Sequence, residues 1–153
     1  MYPSNAFSAS ATFTPAADEH TAGQVTGAAA EFVLVNSSGA APPAGAQLKI
    51  TGATLRINHA TIETTAWVLH LFNVTPPSAI ADDGAFTFAS GDQASYLGFV
   101  DLAQVVDYGS TLYIQSNNIM KPIKLAGTSV FAYLVNGTTL TTGNVAHIVT
   151  LHT

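Results

Sequence analysis

Apolar and polar positions along the chain mark a series of short β-strands separated by turn-forming residues. "AEFVLVN" at 30–36 reads as one strand, closed by the turn-rich "SSGAAPPAGA". "QLKITGATLRIN" follows, with Leu48, Ile50, Leu55 and Ile57 at its apolar positions. Their parity changes across Gly52, which predicts a bulge or bend there. "TTAWVLHLFNV" at 64–74 puts Trp67, Leu69 and Leu71 on one side and Val68, His70 and Phe72 on the other. Both faces are largely apolar, as in a central strand of a two-layer fold, and Pro76 and Pro77 end it because proline cannot donate to a ladder. "YLGFVDL", "STLYIQSN", "SVFAYLVN" and "VAHIVTLHT" supply four more strands. "NGT" after Val135 and "TGN" at 142–144 are turn signals at hairpin positions. Seven or eight short strands with Pro- and Gly-rich connections, and no long amphipathic helix, predict an all-β chain. The expected form is a two-layer antiparallel β-sandwich, of which the jelly roll is one variety.

Outside that pattern, residues 1–26 are rich in Ala, Ser, Thr and Pro, with Phe7 and Phe13 isolated. They read as an extended N-terminal arm preceding a single sandwich domain at 27–153, and such arms order when a neighbour holds them. Between Ser90 and Val106 a short helical turn is expected, with Asp92 as N-cap acceptor for the backbone N–H groups that follow it.

Composition narrows the function. Only 8 % of the 153 residues are charged, against about 25 % in an ordinary soluble domain. A surface of small neutral groups costs little to desolvate, which suits a subunit packed among neighbours. The net charge is −5, and Lys49, Arg56, Lys121 and Lys124 are the only permanent cations. Four cations scattered along an acidic chain argue against nucleic-acid binding, which needs clustered Lys and Arg. Without cysteine there are no disulfides, thiolate zinc sites or cysteine nucleophiles. The start lacks the basic and apolar regions of a secretory signal, and no apolar run approaches the ~20 residues of a membrane helix. A soluble protein made in a cytoplasm is expected.

Candidate chemistry is sparse. Of His20, His59, His70, His147 and His152, none has the i, i+4 spacing of a helical zinc motif. His70, inside an apolar strand, reads as a hydrogen-bonded core or interface residue. His147 and His152 are an odd interval apart and point to opposite faces of a regular strand. "DDGAFTFASGD" lacks the alternating oxygen donors of a calcium loop. There is no nucleophile elbow, phosphate loop or dinucleotide fingerprint. The sequons at Asn36, Asn73 and Asn136 are chance matches in a chain rich in Asn, Ser and Thr. No catalytic, metal or cofactor residue is assigned.

The segment "HLFNVTPPSAIADDGAFTFASGDQASYLGFV" at 70–100 resembles a pattern of small virion proteins of tailed bacteriophages and prophages. There an apolar strand ends in L-F-N, followed by Pro, then I-A-D, an aromatic or apolar pair, an acid and Y-L-G. The likeness covers about a fifth of the chain and departs from the usual pattern at Asp83, where Asn is common. It implies a capsid decoration (cement) protein on the virion surface. Such a protein would bind the major capsid protein, act as a homotrimer at three-fold positions, and need no cofactor, nucleic acid or membrane. On this reading 80–98 is an ordered connection. Phe86, Phe88 and Tyr96 would pin it to the sandwich or a neighbour, and Asp82 and Asp92 would accept backbone hydrogen bonds at turns. Phe7 and Phe13 on the arm are the remaining interface candidates. The rival readings are a tail, fibre or head-spike component, or a carbohydrate-binding sandwich that stacks sugars on Trp67 and tyrosines.

Overall fold

The computed structural model describes residues 6–16, 19–59, 66–103, 105–137, 139 and 145–153, with the side chain of Val105 left aside. Among the described residues nine strands form two antiparallel sheets packed face to face. They are β1 (Ser8–Phe13), β2 (Ala30–Val33), β3 (Gln47–Ile57), β4 (Trp67–Phe72), β5 (Tyr96–Leu102), β6 (Val105–Asp107), β7 (Leu112–Lys124), β8 (Ser129–Asn136) and β9 (His147–His152). One sheet runs β1-β9-β3-β7-β6 and the other β2-β8-β4-β5.

The pairing is nested: β1 with β9, β2 with β8, β3 with β7, and β4 with β5. This is one long hairpin, folded back between β4 and β5 and wrapped into two layers, which is the strand order of a jelly roll. Cross-pairing of β3 with β9 and of β4 with β8 joins the nested pairs, and β6 adds a short strand on the free edge of β7.

Alternation along each strand explains the layers. Leu55 and Ile57 on β3, Leu69 and Leu71 on β4, and Val149 and Leu151 on β9 all turn inward and are at most 1 % exposed. Trp67 is buried among them. The predicted irregularity at Gly52 is a register shift of β3 against β7 between Ile50 and Gly52. On β7 the extra residues 118–120 put Asn118 and Met120 in the left-handed region, while Ile119 packs against the core.

Residues 8–13 correct the expected arm. They form β1, an edge strand hydrogen-bonded to β9 over its full length. Ala9, Ala11 and Phe13 face the core, while Ser8, Ser10 and Thr12 face out. The alternation is regular, but alanine contributes so little apolar area that the sequence signal is faint. Phe7 is half-buried and packs against the same core. Residues 20–27 also belong to the body: Thr26 N–H donates to Leu134, and Asn136 N–H to Gln24. Residues 1–5 of the expected arm and the turn at 142–144 lie outside the described residues.

Candidate functional site

The outward side of β4 and β8 carries a second apolar layer. Phe72 and Tyr133 point away from the main core yet are 1 % and 2 % exposed, because the connection at 73–95 and residues 23–26 fold over them. Val25 and Val135 complete this layer, with Ile80, Phe86 and Tyr96 at its margin. The rings make offset and edge contacts: Phe72 lies 5.3 Å from Tyr96 and 5.9 Å from Tyr133. Such aromatic pairs add about 0.5–1.5 kcal/mol each beyond burial. Phe88 is the outermost ring, 45 % exposed and 4.4 Å from Tyr96.

His70 projects from β4 into this layer. Its ring stacks on Phe86 at 3.9 Å, and Nδ1 is 2.9 Å from the Tyr96 hydroxyl. Burial lowers its pKa to about 4 against the opposing pull of Asp101, so the ring is neutral at physiological pH. Burial also pushes the Tyr96 phenol up. The pair is a neutral hydrogen bond inside an aromatic stack.

Asp92 and Tyr133 tie the connection down by its backbone. Asp92, 2 % exposed, accepts the Ser78 N–H at 3.0 Å. The expected helical turn exists as a single 3-10 turn, Ser90–Asp92, but Asp92 closes it and its carboxylate reaches back to Ser78. A cap for the following N–H groups is therefore not what it makes. The Tyr133 hydroxyl accepts the Ile80 N–H at 3.0 Å and donates to the Ser78 carbonyl. Tyr133→Phe removes one acceptor and one donor at a buried site, and is expected to cost about 1–2 kcal/mol. Urea unfolding checks this, and an unchanged midpoint would contradict the role.

Asp82 fastens the N-terminal segment to the same connection. Its carboxylate accepts hydrogen bonds from Ala16 N–H, from Gly27 N–H at 2.6 Å and from His20 Nε2 at 2.7 Å. Gly27 sits at φ 75°, with its Cα against Phe13 and Thr14, where a Cβ would lie 3.0 Å from the Thr14 nitrogen. Only glycine fits, and the close approach brings its N–H to the carboxylate. Partial burial works against the charge of Asp82, but the bonds from Ala16, His20 and Gly27 outweigh it, and its pKa is lowered. His20 is 1 % exposed, and Asn136 donates to its carbonyl. No local pattern points to His20 as the partner, because it lies 62 residues away in the chain.

At the same end of the core, His147 is fully buried on the inward side of β9 while His152 is exposed, as their odd spacing requires. The His147 Nδ1 donates to the Val145 carbonyl at 2.7 Å, and the ring lies 5.1 Å from Trp67. Among the described residues its Nε2 has no hydrogen-bond partner. Burial is the main reason its pKa falls to about 4.

Asp82, Asp92 and Tyr133 hold backbone groups, and His70 and His147 pack against aromatic rings. Among the described residues no three His, Asp or Glu side chains are grouped to hold a metal ion. Asp82 and Asp92 are both committed to backbone N–H groups, and Trp67, 1 % exposed, presents no face for a sugar. Among the described residues no helix is long and apolar enough to cross a membrane. No protein-family model matches the chain, and no curated protein matches it.

Proposed function

We propose that this chain is a non-enzymatic capsid decoration protein that binds the outside of a tailed-phage head and clamps adjacent major capsid subunits. The observation that carries the reading is the use made of residues 70–100, the segment with the phage-like pattern. Its acids hold backbone N–H groups, and its aromatic residues pack on one another and on β4 and β8. Asp82, Asp92, Phe72, Phe86 and Tyr96 of that segment hold the connection rigidly to the sandwich, as a particle component needs. The jelly-roll order is compatible, since that architecture serves viral capsid and lectin domains alike, and fold alone does not decide between them.

The proposed mechanism is the sum of many weak contacts from a low-charge surface that loses little hydration on docking. Exposed Met120 on β7 and Tyr108 after β6, both at the five-stranded sheet, supply apolar anchors for it. A homotrimer seated at three-fold positions of the shell is part of the proposal, as is assembly on the virion after synthesis in the bacterial host cytoplasm. The partner is protein, and neither nucleic acid nor membrane enters the scheme.

Quantitative mass spectrometry of purified particles tests it. The expected result is one copy per major capsid subunit, or a simple fraction of that. A handful of copies would move the protein to the tail or a vertex. Absence from the particle would overturn the proposal.

A further inference from the structure

The permanent charges are sorted between the two sheets. All four cations lie on β3 and β7, the neighbouring inner strands of the five-stranded sheet. Strands β1, β3, β7 and β9 carry no acid at all. The acids among the described residues are elsewhere: Glu31 on β2, Asp101 on β5, Asp107 on β6, Asp82, Asp83 and Asp92 in the 73–95 connection, and Glu19. Asp107 is on the edge strand and is occupied by the Gly109 N–H at 2.6 Å.

Side-chain alternation places three of the cations on one surface. Lys49 and Arg56 alternate with the core residues Ile50, Leu55 and Ile57, and Lys124 follows core Ile123, so all three face out. Lys121 stands at the rim, its ammonium beside Gly98 of β5. Among the described residues, none of the four has a carboxylate within 4.0 Å, the one ion pair there being His20 with Asp82. Among the described residues the rest of that face carries no acid, and Ser8, Ser10 and Thr12 on β1, Thr150 and His152 on β9 and Thr54 on β3 lie on it. In its middle is a shallow depression of about 380 Å³ lined by Arg56, Tyr113, Ser10, Thr54 and His152. A guanidinium among hydroxyl groups matches a carboxylate, which Arg binds through paired N–H donors.

We propose that the outer face of the five-stranded sheet is the docking face of this protein, that its partner there is an acidic protein surface, and that a partner carboxylate seats in the Arg56 depression. A cationic face on a chain of net charge −5 orients the molecule as it approaches: the sheet turns toward carboxylates while the opposite, acidic side is repelled. The partner's identity as a shell subunit rests on the decoration reading. The face itself rests on the charge distribution alone.

The experiment uses the full chain and immobilised poly-L-glutamate as probe. Wild type is compared with Lys49→Glu/Arg56→Glu/Lys124→Glu, with the milder Arg56→Gln, and with the control Glu31→Lys on the other sheet. Circular dichroism confirms that each is folded, and Arg56→Gln serves if the triple variant is not. Wild-type binding should weaken with salt, fall at least ~10-fold in the triple variant, fall measurably in Arg56→Gln, and survive Glu31→Lys. Undiminished binding by the triple variant, or no binding by wild type, would overturn the proposal. Tighter binding to duplex DNA or to phosphatidylglycerol vesicles would also overturn it, by making the face a phosphate reader. A second arm measures the same variants on particles. Loss on poly-L-glutamate with full incorporation into particles refutes this face as the one that meets the shell, while decoration stands. The poly-L-glutamate pattern in a protein absent from particles keeps the face and removes the decoration reading.

Discussion

Asp82→Ala is expected to lower the melting temperature by ~10 °C, the largest effect of any single exposed or half-exposed polar residue. Hydrogen bonds to a charged acceptor contribute about 1.5–3 kcal/mol each, and this carboxylate takes three. Asp82 is 22 % exposed, so water offsets part of the loss, and a total near 3 kcal/mol is the reasonable scale. For a domain of this size each kcal/mol corresponds to about 3 °C. Asp82→Asn, which keeps an acceptor oxygen but loses the charge, should fall between wild type and alanine. Hydrogen exchange separates this mechanism from general loosening. The Gly27 amide should lose protection, while amides of β4 and β9 in the middle of the sheets should change only with global stability. Equal protection at Gly27 in variant and wild type would contradict the role given to Asp82.

Stability should also fall steeply in mild acid. His147 has a pKa of about 4 in the folded chain against 6.5 when unfolded. Between those values the unfolded chain binds the proton and the folded chain does not, so stability rises with pH. The contribution is complete above 6.5 and is lost progressively as pH falls toward 4. The cause is burial, reinforced by His20 and His59 and opposed by the Val145 carbonyl and Asp82. Protonation would place a second N–H, on Nε2, in the core with nothing to receive it. Two and a half decades of proton affinity correspond to about 3 kcal/mol. His70, lowered to about 4 by its burial under Phe86, adds to the same window with the same sign. Asp82 acts lower: its depressed pKa gives stability that is present above 3.8 and lost below it. Urea midpoints measured from neutral pH down to about pH 4 check this, and His147→Gln should flatten the profile by up to one proton's slope, about 1.4 kcal/mol per pH unit. A wild-type profile flat across that range would show His147 to be reachable by solvent in the folded protein.

The two predictions draw on parts of the molecule that differ in how legible they are from sequence. The face of His147 follows from strand parity alone: it stands two and four residues before Val149 and Leu151, both core. The partners of Asp82 follow from nothing local. Ala16 and His20 come from a segment whose composition looks like a loose arm, Gly27 from the first position after it, and the carboxylate that collects them lies in the connection between β4 and β5. Asp92 shows the same limit on a smaller scale. A carboxylate beside a helical turn suggests a cap, yet the Asp92 carboxylate takes the Ser78 N–H, upstream of the turn.

By itself, the sequence determined what a two-residue period can determine: the seven strands from residue 30 onward other than short β6, the apolar positions of β3, the largely apolar character of both sides of β4, the opposite faces of His147 and His152, and the irregularity of β3 at Gly52. These are properties of a residue and its near neighbours, fixed by side-chain alternation whatever the strand pairs with. Tertiary structure decided the rest. Only the nested pairing brings Ser8 opposite His152 and turns the weak Ser-Ala alternation of residues 8–13 into an edge strand. Only the return of 73–95 over β4 and β8 makes outward-facing Phe72 and Tyr133 buried residues. Only the neighbouring of β3 and β7 gathers four cations, scattered along the chain, into one sheet. In each case the energy comes from groups far apart in sequence, and local alternation carries no information about which of them will meet.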